Sequence, residues 1–291
     1  MSATVKPIQE AAVRQYAKQL RLPTLGGQFA RLAEQAVKEK QSHLSYLEAL
    51  LEGEVEERER KAMARRIQEA RFPAVKTLEE FDFQCTPHIP AALLRSLSEG
   101  GYLERKEPII FLGETGTGKT HLATGLAVAA CRQRKRVRFT TAAEMVTELI
   151  EAQNQAELNR VRNRWLRYEL IVIDELGYVM MPDAAAELLF QVIAGRAERA
   201  AVIVTTNLPF SEWTTKFPNA RLCKAMLDRL TDQASIIETG SDGRWRRSKA
   251  KERKYEDAAM VSGADSLGRD GGRTRNSPLG RGPVSVPQRR P

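Results

Sequence analysis

Apolar positions along the chain change their spacing between its first third and its middle. Through residues 1–80 they recur at helical intervals, as in Leu44, Leu47, Leu50 and Leu51, which predicts amphipathic helices. The segment 22–30, LPTLGGQFA, holds Pro23 and the pair Gly26-Gly27 and predicts a break between two of them. EGEVEERERKAMARR, at 52–66, has almost no large apolar side chain and reads as a solvated helix laced with i,i+4 ion pairs. Leu78, Phe81 and Phe83, set between Pro73 and Pro87, read as a linker that packs onto the next domain.

From about residue 105 to residue 240, short apolar runs alternate with helical stretches. Ile109–Leu112, Val137–Thr140, Leu170–Asp174, Ala201–Thr206 and Ser235–Glu238 are the strand candidates. Helices between successive strands predict an α/β fold with a doubly wound, five-stranded parallel sheet. Thr141 with Glu144 predicts a capping box that opens the helix after the second strand. The stretch 144–167, before the third strand, has room for two helices. Beyond Lys251, six glycines, four prolines and two leucines among 41 residues cannot build a core, so a disordered basic tail is expected. The predicted organisation is a helical N-terminal domain at 1–80, an α/β domain at 81–250 and the tail at 251–291.

Composition removes several classes. Nothing approaches the ~18 consecutive apolar residues of a spanning helix, and the start, MSATVKPIQE, has no apolar run of a secretory signal. Cys85, Cys131 and Cys223 stand far apart, with no CxxC and no histidine cluster. A disulfide framework and a zinc module are thereby excluded, and a reducing cytoplasm is the expected setting. The net charge of +9 is spread over the chain, with 14 basic and 12 acidic residues in 1–80 and 9 and 5 in 251–291. Such a balance permits a polyanionic partner without demanding one.

The chemistry concentrates after the first strand. Gly113-Glu114-Thr115-Gly116-Thr117-Gly118-Lys119-Thr120 fits G-x-x-x-x-G-K-[ST], and His121 follows it at the head of a helical run. Glycines let the loop turn its N–H groups onto phosphate oxygens, Lys119 supplies a charge, and the Thr120 hydroxyl can ligate Mg²⁺. ATP and Mg²⁺ are the implied ligands. The third strand ends in Asp174-Glu175, where Asp174 would hold the metal and Glu175 would deprotonate an attacking water. A water-activating glutamate suits hydrolysis and serves no purpose in a small-molecule kinase. Asn207, at the end of the fourth strand, either senses the terminal phosphate or forms a turn before Leu208-Pro209. Arg229 and Arg246 are each read equally well as charge-stabilising groups or as surface ion pairs.

Together these strings resemble the AAA+ ATPases of the helicase-loader clade, and most closely the IstB family of insertion-sequence helper ATPases. The resemblance covers residues 8–250 and rests on LPTLGGQFARLAEQA, YLEALLEGEVEERERK, LEEFDF, FLGETGTGKTHLA, LIVIDELGY, TTNLPF and MLDRL. It implies a three-layer P-loop domain behind a small all-helical one. It makes Lys119 and Thr120 the Walker A pair, Asp174 and Glu175 the Walker B pair, Asn207 the first sensor and Arg229 the arginine finger. Arg246 would be the second sensor, although Arg244-Trp245-Arg246 replaces the family's Ser-Tyr-Arg. Family members are expected to form homo-oligomers on ATP, to bind duplex DNA with little sequence preference and to stimulate a partner transposase. A loader acting on a replicative helicase is the alternative.

A DNA site is suggested by two runs without acids. Residues 159–167 hold Arg160, Arg162, Arg164 and Arg167, and residues 132–138 hold Arg134, Lys135 and Arg136 between Arg132 and Arg138. Arg160 and Arg164 share a helix face, and without acidic partners they would repel until a phosphate backbone relieved them. A solvated basic face is the competing reading of both runs. Leu158, Trp165 and Leu166 are expected to pack this insertion on the core.

Overall fold

A computed structural model describes residues 5–178, 181–217 and 219–240. Three helices open the chain, α1 (Val5–Gln19), α2 (Pro23–Lys38) and α3 (His43–Ala70). Pro23 is accepted at the first turn of α2, where its missing N–H costs nothing. The break therefore falls at residues 20–22, and Gly26-Gly27 lie inside α2 rather than between helices. Gly26 has a packing reason. A Cβ there would lie 3.1 Å from that of Ala17, so its absence lets α1 approach α2.

The 52–66 stretch is helical and carries the expected ion pairs, including Arg58 to Glu54 at 3.0 Å and Lys61 to Glu57 at 3.3 Å. Glu54, however, is not solvated. It is 3% exposed and accepts the orphan N–H groups of Thr24 and Leu25 at 2.9 and 3.0 Å. A glutamate of α3 thus caps the N-terminus of α2, where helix dipole and free donors both favour an anion. Burial alone would push its carboxyl up, but the Leu25 N–H, Arg58 and the Thr24 N–H together hold it below the usual range.

Two short helices, α4 (Ala91–Ser98) and α5 (Gly101–Arg105), precede the sheet. The strands are β1 (Ile109–Leu112), β2 (Val137–Thr141), β3 (Leu170–Asp174), β4 (Ala201–Thr206) and β5 (Ser235–Glu238). They lie in the order β2-β3-β4-β1-β5, every pair parallel. The helices between them are α6 (Lys119–Arg132), α7 (Ala142–Asn154), α8 (Leu158–Leu166), α9 (Asp183–Arg196) and, before β5, α10 (Ala220–Thr231).

Alternation along each strand divides the core into two layers. Ile110, Ile171, Ile173, Val202 and Val204 face α7, α8, α9 and α10. Ile109, Phe111, Leu170, Val172 and Ile203 face α4, α5 and α6. Continuous apolar runs are what strands covered on both faces require. The capping box forms as expected, with Glu144 N–H donating to Thr141 Oγ1 at 3.1 Å. The end of α3 packs against β2 and α6, so the helices and the sheet belong to one unit, Met1–Arg246. The expected division at residue 80 is thus one of chain order. The tail at 251–291 lies outside the described residues.

Candidate nucleotide site

Because β4 is inserted between β1 and β3, three strand ends converge at the carboxyl edge of the sheet, where ligands of such folds bind. The turn after β1 runs into α6 through Gly113, Gly116 and Gly118, all with positive φ. At Gly113 a Cβ would meet Gly240 O at 2.8 Å, and at Gly118 the φ of +96° suits only glycine. The loop is tied down from behind. Glu114 N–H donates to Gly240 O at 3.1 Å, and Thr117, turned inward, bonds Glu114 O at 2.8 Å and Thr239 Oγ1 at 2.6 Å. A preorganised loop spends little entropy when phosphate arrives.

Lys119 Nζ donates to Gly113 O and Glu114 O at 2.7 and 2.8 Å. Burial lowers its pKa, opposed by the nearby carboxylates of Asp174, Glu175 and Glu114. Thr120 Oγ1 lies 3.1 Å from both oxygens of buried Asp174. Together they form a hard-oxygen pair of the kind Mg²⁺ takes when phosphate and water complete its shell. No cluster of three or more His, Cys, Asp or Glu able to hold a metal occurs among the described residues, and a phosphate-completed site needs none.

Glu175 follows at φ +59°, with its N–H donated to Thr205 Oγ1 at 3.0 Å. Thr205 also donates its hydroxyl to Asp174. This threonine of β4 positions both acids, and nothing in the sequence pattern marks it beyond a hydroxyl at a strand end. Asn207 lines the same cleft, and its buried Oδ1 has no partner among the described residues. A buried oxygen without a protein partner suits an ordered water or a ligand atom. The cleft measures about 310 Å³ and is lined by Thr115, Gly116, Gly118, Lys119, Thr120, His121, Glu175 and Asn207, with Lys76, Tyr178 and Thr205 added. His121 borders it but is committed elsewhere, its Nε2 lying 2.7 Å from Thr77 O.

Arg229 is exposed on the last turn of α10, outside the cleft lining. Arg246 lies outside the described residues. On α8, Trp165 and Val161 are buried in the core and Leu158 packs against it, as expected of the insertion. Two of the four arginines of 159–167 have acidic partners, contrary to the sequence reading. Arg160 bonds Glu157 at 3.0 Å and Arg164 pairs with Glu148. Arg162 reaches Asn159 Oδ1 at 3.1 Å, while Arg167 caps the helix. In the second run Arg134 pairs with Glu59, Lys135 with Glu169 at 3.5 Å, and the Arg136 N–H donates to Glu169 at 2.9 Å. The repulsion inferred from local sequence is thus relieved in part, by Glu157 at the head of α8 and by Glu148, Glu59 and Glu169 on neighbouring elements.

A phosphate loop, a strand-end acid pair and a polar β4 terminus on a β2-β3-β4-β1-β5 sheet define an ATP-binding protein of the AAA+ class. Residues 15–253 match the family of IstB-like ATP binding proteins, and the chain belongs to that family. It is 33% identical, over 84% of its length and 98% of the relative's, to the insertion sequence IS5376 ATP-binding protein of Geobacillus stearothermophilus. It is 34% identical to the insertion sequence IS21 ATP-binding protein of Pseudomonas aeruginosa, over 75% of this chain and 82% of that one. Among solved structures it shares its fold with AMPPCP-bound DnaA from Aquifex aeolicus, at a TM-score of 0.52 and 19% identity. That match spans 64% of this chain and 56% of DnaA.

Proposed function

We propose that this protein hydrolyses ATP, assembles with copies of itself on duplex DNA and, in that state, stimulates the transposase of an insertion sequence. The observation that supports hydrolysis most directly is Glu175, held beside Lys119 in one cleft by Thr205. In this reading Lys119 balances charge on the phosphates and Glu175 accepts a proton from the attacking water. Asn207 Oδ1 orients that water. Thr120 and Asp174 would hold Mg²⁺, which when bound draws charge from the phosphate oxygens. No helix among the described residues is long and apolar enough to cross a membrane, and the reading places the protein in the cytoplasm.

Assembly is supported by what the cleft lacks. Among the described residues no arginine lines it, and Arg229 is exposed on the last turn of α10, where it can serve a neighbour's nucleotide. Arg229→Ala is expected to bind ATP normally and hydrolyse it slowly. Mixing it with Lys119→Ala protein should restore activity, because some interfaces then pair an intact pocket with an intact finger. Absence of rescue at every mixing ratio would contradict shared sites. The assembled protein should also retain the transposase in a pull-down, and capture of a replicative helicase in its place would overturn that partner.

A further inference from the structure

The end of β5 that braces the phosphate loop is itself held by the segment leading from α3 into the sheet. Thr239, 1% exposed, follows β5 directly. Its N–H donates to Leu112 O at 2.7 Å and its hydroxyl meets that of Thr117, while Gly240 O accepts the Glu114 N–H. The carbonyl oxygen of Thr239 lies 2.9 Å from His88 Nε2. A carbonyl only accepts, so Nε2 donates. Gly240, at φ +81°, lies against the same ring, and a Cβ there would come within 2.8 Å of Nε2. His88 is exposed, but the backbone that carries it is fixed. Asp82 Oδ1 accepts the Gln84 and Cys85 N–H groups at 2.9 and 3.3 Å. The N–H of Ile89 donates to Thr86 O at 3.0 Å, and its side chain is buried in the layer that holds Phe111 and Leu122. A rigid turn therefore presents the imidazole to the strand end. His88 belongs to none of the motifs that define the site.

We infer that His88 is a positioning residue of the ATP site, which through Thr239 and Gly240 holds the phosphate loop in the shape that receives nucleotide. The inference rests on the reading of the cleft as an ATP site. Gly113, Gly116 and Gly118 give that loop more conformational freedom to lose than other residues would. A loop without its brace would have to be ordered by the ligand, at the expense of affinity. The brace needs an outside hold because β5 is an edge strand, paired with β1 alone among the described residues. The His88 imidazole supplies that hold. The N–H groups of such a loop bind phosphates that ATP and ADP have in common, so the effect falls on both nucleotides alike. The segment that carries α1, α2 and α3 to the sheet is thereby tied to the nucleotide site.

The test is a titration of ADP and of the β,γ-methylene analogue of ATP into wild type, His88→Met, His88→Gln and Thr239→Val. His88→Met removes the donor from an exposed position and leaves no cavity, so its melting temperature without nucleotide should stay that of wild type. Loss of the bond should weaken both ligands by a similar factor, roughly 2- to 10-fold, the net worth of one hydrogen bond. His88→Gln, whose amide N–H can reach the same carbonyl, should bind both as wild type does. Thr239→Val removes the hydroxyl that meets Thr117 and should also weaken both. Adding His88→Met to it should cost less than the product of the two single effects, because both act on one brace. Unchanged binding by His88→Met, a loss that His88→Gln does not restore, or single effects that simply multiply would overturn the assignment. Lys119→Ala is the control for the cleft itself. If it binds nucleotide as wild type does, or if wild type binds neither ligand, the ATP-site reading fails and the His88 inference falls with it.

Discussion

Exchange of Glu175 for glutamine is expected to leave ATP bound and to slow its hydrolysis about 10²- to 10⁴-fold, the range typical of a lost general base. The amide is the same size and can hold the same position, because the backbone N–H at residue 175, not the side chain, bonds Thr205. What it cannot do is accept a proton from water. Lys119→Ala should behave in the opposite way. Its ammonium rests on two carbonyls in a half-buried position, ready to turn onto phosphate oxygens. Its loss should cost about 1.5–3 kcal/mol of binding, roughly 10- to 150-fold in affinity. Isothermal titration and a phosphate-release assay on the two variants separate binding from turnover. Normal turnover by Glu175→Gln would remove Glu175 from the mechanism.

The second large effect concerns DNA. If the α8 arginines meet the phosphate backbone, Arg160→Ala with Arg164→Ala should weaken binding to every duplex tested. The log–log salt slope should flatten by up to about one unit for each arginine–phosphate pair removed. Their acidic neighbours refine this expectation. Arg164 must leave Glu148 to reach a phosphate, so Glu148→Gln should strengthen DNA binding while its remaining oxygen keeps the Trp165 Nε1–H bond, now 3.0 Å. ATP hydrolysis without DNA should be unchanged in both cases, because α8 takes no part in lining the cleft. An unaltered slope in the double variant and unaltered affinity in Glu148→Gln would mark α8 as a solvated, internally neutralised face.

The fold was legible where one physical signal dominated. The inner strands β1, β3 and β4 are short apolar runs covered on both faces, and a run such as Leu170–Asp174, buried throughout, has no other stable setting. The P-loop was legible because its glycines, lysine and threonine act on one ligand from consecutive positions. Gly26-Gly27 misled because the pair looks like a turn in isolation, whereas the structure uses Gly26 to bring α1 close to α2. The α8 arginines misled for a related reason. Arg164 has no acid close by in sequence, yet Glu148 on α7 neutralises it across a helix pair. Thr205 and Thr239 left no trace because each acts across elements far apart in the chain. Sequence adjacency carries the loop, while tertiary structure supplies the groups that brace it.

The coupling of ATP chemistry to duplex DNA is the centre of this account. It is tested most directly by the steady-state rate of ATP hydrolysis by the wild-type protein with and without duplex DNA. The account predicts a rate that rises on adding duplexes of unrelated sequence and returns to its basal value at high salt, as phosphate contacts are screened. A rate indifferent to DNA at every salt concentration would contradict it.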